Sequence, residues 1–308
     1  MHPLEIRHLV KGYGRHVAVD DLSFRVEPGR VTGFLGPNGS GKATTMKVLL
    51  DLASADRGGA TIAGRRYRDL DDPAGTVGAL LEPNAFHPAR SGRDHLLVLG
   101  DAMGVRAARV DEVLERVGLT GAAHRRVGAY SLGMRQRLGL ATAVLKDPAV
   151  LVLDEPANGL DPEGIRWLRD LLRSQAAGGR TVFVSSHLLG EMELLADDLV
   201  VIHQGRLVAS GTMASLRSSD VTVRTPAPAA LCAVLDAAGG AATADASDGA
   251  LRVRGLTCAQ IGDRALAAGI AVHELTPRGG SLEATFLEWT SPDGGGAPTP
   301  AARRGVAA

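Results

Sequence analysis

Residues 31–45, Val-Thr-Gly-Phe-Leu-Gly-Pro-Asn-Gly-Ser-Gly-Lys-Ala-Thr-Thr, constrain this chain more than any other stretch. The run from Val31 to Leu35 is apolar and short, as in a strand buried inside a sheet. Gly36, Gly39 and Gly41 follow, then Lys42, then a helical pattern through Met46, Leu49 and Leu50. Glycine tolerates φ > 0, so successive backbone N–H groups can turn into one hollow. The helix adds unpaired N–H groups and the positive end of its dipole, and Lys42 adds a mobile full charge. Strand, glycine turn, lysine and helix in that order predict a polyphosphate cradle made by Gly36, Pro37, Asn38, Gly39, Ser40, Gly41 and Lys42.

Loops of this pattern end in Lys followed by Ser or Thr, whose hydroxyl binds Mg²⁺. Here that position is Ala43. Thr44 and Thr45 carry hydroxyls, but each step along a helix turns a side chain by about 100°. Phosphate binding is therefore expected intact and metal binding weakened.

Further candidates sit at the ends of other apolar runs. Residues 76–82 read as a buried strand ending in Glu82, and Pro83 disfavours helix there. Residues 149–153, Ala-Val-Leu-Val-Leu, read as a strand buried on both faces. It ends in Asp154-Glu155, an acid pair that is costly to bury without a cation, donor or water. Beside a bound polyphosphate, Asp154 suits Mg²⁺ and Glu155 suits an attacking water. Thr181 to Val184 is another buried run, ending in Ser185-Ser186-His187. Parallel strands would bring these ends to the side where the glycine loop opens.

Between the strands, residues 91–146 read as mostly helix. Ser91 with Asp94 three residues on is a capping signal, and Gly118 ends a helix whose Val110, Val113, Leu114 and Val117 share a face. Ser131-Leu-Gly-Met-Arg-Gln136 leads into another helix. Ser131 can cap it and Gly133 allows close backbone approach, so this is either a plain cap or a second anion site. Tyr13, in a turn upstream of the loop, suits either packing or stacking on a base. Residues 199–211 read as a hairpin around Gln204-Gly205. From about residue 218, strands over 221–224, 251–254 and 270–275 alternate with helices over 228–238, 257–268 and 281–290. The Gly/Pro/Ala-rich residues 291–308 read as a disordered tail.

Composition excludes several classes. Lys+Arg and Asp+Glu both number 34, so no overall field favours nucleic acid. No apolar stretch approaches the roughly 18 residues of a membrane-spanning helix. Cys232 and Cys258 have no metal-ligand spacing and suit a reducing compartment. A membrane role would need a partner chain.

Residues 4–215 resemble the nucleotide-binding subunit of an ATP-binding cassette (ABC) transporter. Gly36 to Lys42 matches Walker A. Glu82 falls at the Q-loop, and Ser131 to Gln136 resembles the signature. Leu151 to Glu155 matches Walker B with its glutamate, Gly159-Leu160-Asp161 the D-loop, His187 the switch histidine and Tyr13 the base-stacking aromatic. Gly78-Ala-Leu-Leu-Glu82 and Ser131-Leu-Gly-Met134 resemble bacterial exporters of the bacitracin- and daunorubicin-resistance type. Residues 281–289 resemble the end of that group's accessory domain.

The resemblance implies an α/β fold, a P-loop cassette with a mostly parallel sheet, an antiparallel β lobe and a helical subdomain over about 86–146. It implies domains at 1–217 and 218–290, the second small and α+β. It implies ATP and Mg²⁺ as ligands. Nucleotide would be held by Tyr13, residues 36–45 including Ala43, Thr44 and Thr45, and, from a second cassette, by Ser131, Gly133 and Gln136. Asp154 and Glu82 would hold the metal, and Glu155, His187 and Lys42 would serve hydrolysis. The implied partners are a second cassette, as a homodimer with heterodimer left open, and a separate transmembrane permease chain, with no nucleic acid. The implied location is cytoplasmic, on the inner face of the membrane. Ala43 leaves open an alternative, a regulatory cassette that binds ATP and hydrolyses it poorly.

Overall fold

A computed structural model describes residues 3–81, 86–216, 219–244, 250–279 and 286. Glu82, the expected helix over 281–290 and the expected tail over 291–308 lie outside these, apart from Phe286. The chain divides into two compact units, the first reaching Met213 and the second starting at Ala214.

The first unit opens with β1 (Leu4–Tyr13) and β2 (His16–Val26), an antiparallel pair. After β3 (Val31–Leu35) and α1 (Lys42–Leu49), β4 (Arg57–Ile62) adds to β1, giving the sheet order β2-β1-β4. Arg57-Gly58-Gly59 lies within β4; Gly58, at φ 65°, packs where a Cβ would overlap the backbone of Arg7 and His8. A short α2 (Pro73–Thr76) leads into β5 (Val77–Leu80). Three helices follow: α3 (Gly92–Ala102), α4 (Ala107–Arg116) and α5 (Leu132–Val144). The chain returns to sheet as β6 (Val150–Leu153), α6 (Pro162–Ala177), β7 (Thr181–Ser186), α7 (Leu189–Leu195), β8 (Asp198–His203) and β9 (Arg206–Thr212).

The large sheet has the order β5-β6-β7-β3-β8-β9. All neighbours are parallel except β8 and β9, which form a hairpin. Every residue of β3, β6 and β7 is buried, as expected of strands covered on both faces. Aromatic residues are scarce, yet three of the five phenylalanines meet in one place. Phe24, Phe34 and Phe183 stack as tilted rings, with centroids 5.1 to 5.7 Å apart. They join the antiparallel lobe to the large sheet in one core with Leu4, Ile6, Met46 and Leu49.

This topology positions the site. After β3 the chain runs to the far edge of the large sheet at β5, returns through β6 and β7, and then crosses past β3 to β8, so the strand order reverses beside β3. Ligands of open α/β sheets bind outside the carboxyl ends of strands at such a point. The register brings Leu35 beside Ser186 and Leu153 beside Val184. β3 and β7 therefore finish level and β6 ends two residues earlier, so that Asp154 and Glu155 follow it beside Ser185.

After α8 (Met213–Leu216), which begins at the last residue of the first unit, the second unit runs through β10 (Ser219–Arg224), α9 (Pro228–Asp236), β11 (Ala241–Ala244), β12 (Leu251–Arg254), α10 (Cys258–Ala267) and β13 (Glu274–Gly279). The sheet order is β11-β12-β10-β13, all antiparallel. Val221, Val223, Leu251 and Val253 face Leu231, Leu235 and Ile261 in a core of their own. The β-α-β-β-α-β order differs from the plain alternation read in sequence. β11 is Ala-Ala-Thr-Ala, too weakly patterned to be seen, and pairing of Leu275 with Val223 moves the last strand later than residues 270–275.

Candidate active site

Gly36 to Lys42 leaves β3 and turns into α1. A Cβ on Gly36 would overlap the Ile202 carbonyl and the Ser40 hydroxyl. Gly41 caps α1 at φ 104°, and a Cβ there would overlap the Ala18 carbonyl. Both places admit glycine only. The Lys42 ammonium donates to the Gly36 carbonyl at 2.6 Å and the Pro37 carbonyl at 3.2 Å, and lies 3.5 Å from a Glu155 carboxylate oxygen. The Lys42 side chain is only 7% exposed.

Glu155 is held on every side. Its N–H donates to Ser185 Oγ at 2.9 Å, and its carboxylate lies 2.8 Å from His187 Nδ1. Its backbone is left-handed at φ 47°, unusual for a side chain of this size. Ser185 also donates its hydroxyl proton to Asp154. Burial pushes the Asp154 carboxyl above its ordinary pKa, and the Glu155 charge adds to this; the Ser185 hydroxyl, Lys42 and Lys47 oppose it. A cation arriving there would relieve that penalty.

Beside these groups lies a cleft of about 320 Å³. Tyr13, His16, Asn38, Gly39, Gly41, Lys42, Ala43, Thr44, Asp154 and Glu155 line it. Tyr13 is half exposed, with Lys11 Nζ 5.2 Å from its ring centroid. Of the three residues after Lys42, Ala43 and Thr44 face the cleft. Thr45 does not: it is fully buried and its hydroxyl donates to the Gly41 carbonyl at 2.9 Å. Ser40 is buried as well, and its hydroxyl has no hydrogen-bond partner among the described residues.

The chain offers Asp154 and the Thr44 hydroxyl as oxygen donors for a metal. Among the described residues there is no cluster of three or more His, Cys, Asp or Glu able to hold an ion. That donor set fits Mg²⁺, which is usually held by one or two carboxylates together with substrate phosphates and water.

Ser131 and Gly133 lie apart from this cleft. Ser131 is exposed and accepts the Met134 N–H at 3.2 Å as the cap of α5. Gln136 departs from the sequence expectation. It is fully buried, and its side-chain amide donates to the Glu155 carbonyl at 3.3 Å. Five residues from Ser131, it has turned on the helix from the exposed cap to the interior. The sequence reading gives no role to Ser185 or His16. Ser185 precedes a strand-end histidine, which was the available signal; His16 reaches the cleft through its pairing with Tyr13 across the β1–β2 turn.

Comparison with known proteins covers much of this region. A family model described as ABC transporter matches residues 19–158. A domain of unknown function, DUF8746, matches residues 219–283. The chain is 43% identical over 208 residues to an uncharacterized ABC transporter ATP-binding protein, YhcH, of Bacillus subtilis, covering 67% of this chain and 68% of that one. It is 41% identical over 203 residues to the bacitracin transport ATP-binding protein BcrA of Bacillus licheniformis, covering 65% and 66%. It is 37% identical to the lantibiotic transport ATP-binding protein SrtF of Streptococcus pyogenes, covering 67% of this chain and 89% of that one. A solved ATP-binding subunit of an ABC transporter aligns at a TM-score of 0.63 and 29% identity, over 69% of this chain and 91% of that one.

Proposed function

This chain belongs to the ABC transporter ATP-binding family, whose members are ATPases, and from that premise we propose that it hydrolyses ATP to drive a separate membrane permease chain of exporter type. The observation that carries the reading is the meeting of Lys42, Glu155 and His187 from three strand ends, beside a cleft floored by the glycine loop. The named bacitracin and lantibiotic relatives support export of a drug- or antibiotic-like molecule. No helix among the described residues is long and apolar enough to cross a membrane.

In the proposed mechanism, backbone N–H groups of the loop from Asn38 to Thr44 bind the phosphates, and Tyr13 stacks on the base. Lys42 exchanges the Gly36 and Pro37 carbonyls for β- and γ-phosphate oxygens. Glu155 accepts the proton of the attacking water, while His187 fixes the carboxylate and contacts the γ-phosphate. Asp154 and the Thr44 hydroxyl, together with phosphate oxygens, would hold Mg²⁺, which would supply charge neutralisation on the phosphates. Ser131 and Gly133 serve the nucleotide of a second copy, so two chains enclose two ATPs and closure of the pair works the permease.

General-base loss typically lowers rate about 10²–10⁴-fold. Glu155→Gln is therefore expected to lose turnover by that order while still binding ATP. Wild-type activity is expected to rise faster than linearly with protein concentration. Strict proportionality at low protein concentration would contradict the shared site. One observation favours a second reading, a hydrolysis-poor regulatory cassette: Ala43 lacks the hydroxyl and Thr45 has committed its own. Phosphate release by the purified chain, with and without its permease, decides between the two.

A further inference from the structure

The Glu155 peptide is strained and its restraints come from several elements. Its left-handed φ of 47° persists only if the surroundings hold it. The N–H is tied to β7 through Ser185. The carbonyl accepts two donors, the Asn158 N–H at 3.2 Å and the Gln136 amide at 3.3 Å. The second donor belongs to α5, whose exposed start carries Ser131.

The same helix grips the following loop at a second point. A Cβ on Gly159 would overlap the Leu132 side chain, and one on Gly133 would come within 3.0 Å of the Gly159 carbonyl. Residues 155–159 are thus bracketed by α5, with Gln136 at one end and Leu132-Gly133 at the other. Gln136 is fully buried, and its amide oxygen has no hydrogen-bond partner among the described residues. An unpaired buried amide oxygen is costly, and what the amide gains against that cost is the bond it donates to the Glu155 carbonyl.

We propose that Gln136 is a positioning residue which couples the exposed start of α5 to the backbone geometry of Glu155. A shift of Ser131 toward or away from a neighbouring nucleotide moves a rigid helix, and Gln136 carries that shift to the peptide that aims the Glu155 carboxylate. The inference rests on the proposed role of Ser131 at a second chain's nucleotide. It gives hydrolysis in one cleft a dependence on engagement of the other, through a bond inside a single chain.

The test uses the full chain. Gln136→Met keeps the side-chain length and removes the donor. The expected result is a fall in kcat on the order of 10-fold or more, as for lost supporting contacts around a reactive group, with the KM for ATP and the Kd of a fluorescent ATP analogue within about twofold. Amide hydrogen exchange in residues 155–160, measured without nucleotide, is expected to quicken. If Gln136→Met folds poorly, Gln136→Leu takes its place under the same criteria. Unchanged kcat with unchanged exchange overturns the proposal. So does a parallel loss of kcat and ATP affinity, the mark of a merely structural role. Failure of the hydrolysis reading would appear elsewhere, as full turnover in Glu155→Gln or no ATP binding by wild type, whereas the exchange measurement still reads the Gln136 bond.

Discussion

Two residues set the chemistry of the cleft apart. Ala43 removes a hydroxyl where the loop pattern supplies one, and Thr45 is no substitute because its hydroxyl is spent on the Gly41 carbonyl. Ala43→Thr should lower the Mg²⁺ concentration for half-maximal ATPase activity by about 10-fold, the lower range for a lost ligand or supporting contact. A magnesium titration of both proteins reads this directly, and an unchanged midpoint would mean that Thr44 and Asp154 already suffice. Asp154 is the second case. Its carboxyl is pushed up by burial, so the folded chain holds that proton more tightly than the unfolded chain does. Stability is therefore lost as pH rises from the ordinary value of 3.8 through the raised one, and the penalty persists above it. Asp154→Asn carries no such charge. It should stabilise the nucleotide-free chain at neutral pH, with the open cleft limiting the gain. Thermal melts at neutral and acid pH check this, since the advantage should shrink as the carboxyl becomes protonated.

At the scale of elements, the site depends on the register that sets the ends of β3 and β7 beside the residues following β6, and on the turn from β3 into α1. Gly41 is the tightest point of that turn, pressed against the β2 carbonyl of Ala18 at φ 104°. Gly41→Ala should cost about 1–3 kcal/mol from backbone strain alone, before the clash is counted. Because the strain falls where α1 presents its first N–H groups, ATP affinity should fall with stability. Equilibrium unfolding alongside nucleotide titration would reveal a change in one without the other. The strands themselves were legible: β3, β6 and β7 are short apolar runs, and Asp154-Glu155 and His187 follow them directly. Strand β11 was not, because four small residues at a sheet edge carry almost no hydrophobic pattern, with only Ala242 packed against the core.

The whole molecule contains two separately cored units. The first core is centred on the three stacked phenylalanines, the second on Val221, Val223, Leu231 and Leu235. Leu231 is fully buried. Leu231→Ala should destabilise the second unit by about 2–5 kcal/mol. Limited proteolysis should then cut within residues 219–279 while ATP binding survives, and loss of both together would mean that the cores are not separable. The relatives match over two-thirds of the chain, so the role of the second unit has to be found by experiments of this kind.

By itself, the sequence determined which chemical groups are present and where along the chain they fall: the glycine loop, its lysine, two acids and a histidine after buried strands, and the missing hydroxyl at Ala43. Those are local matters, set by backbone freedom at glycine and by apolar runs too short to be anything but strands. Tertiary structure alone decided that Gln136 faces inward to the Glu155 carbonyl, that Ser185 braces both acids and that Thr45 is unavailable. Each of these depends on the rotation of a helix or the register of neighbouring strands. Contacts between residues distant in sequence fix such angles, and no local pattern encodes them.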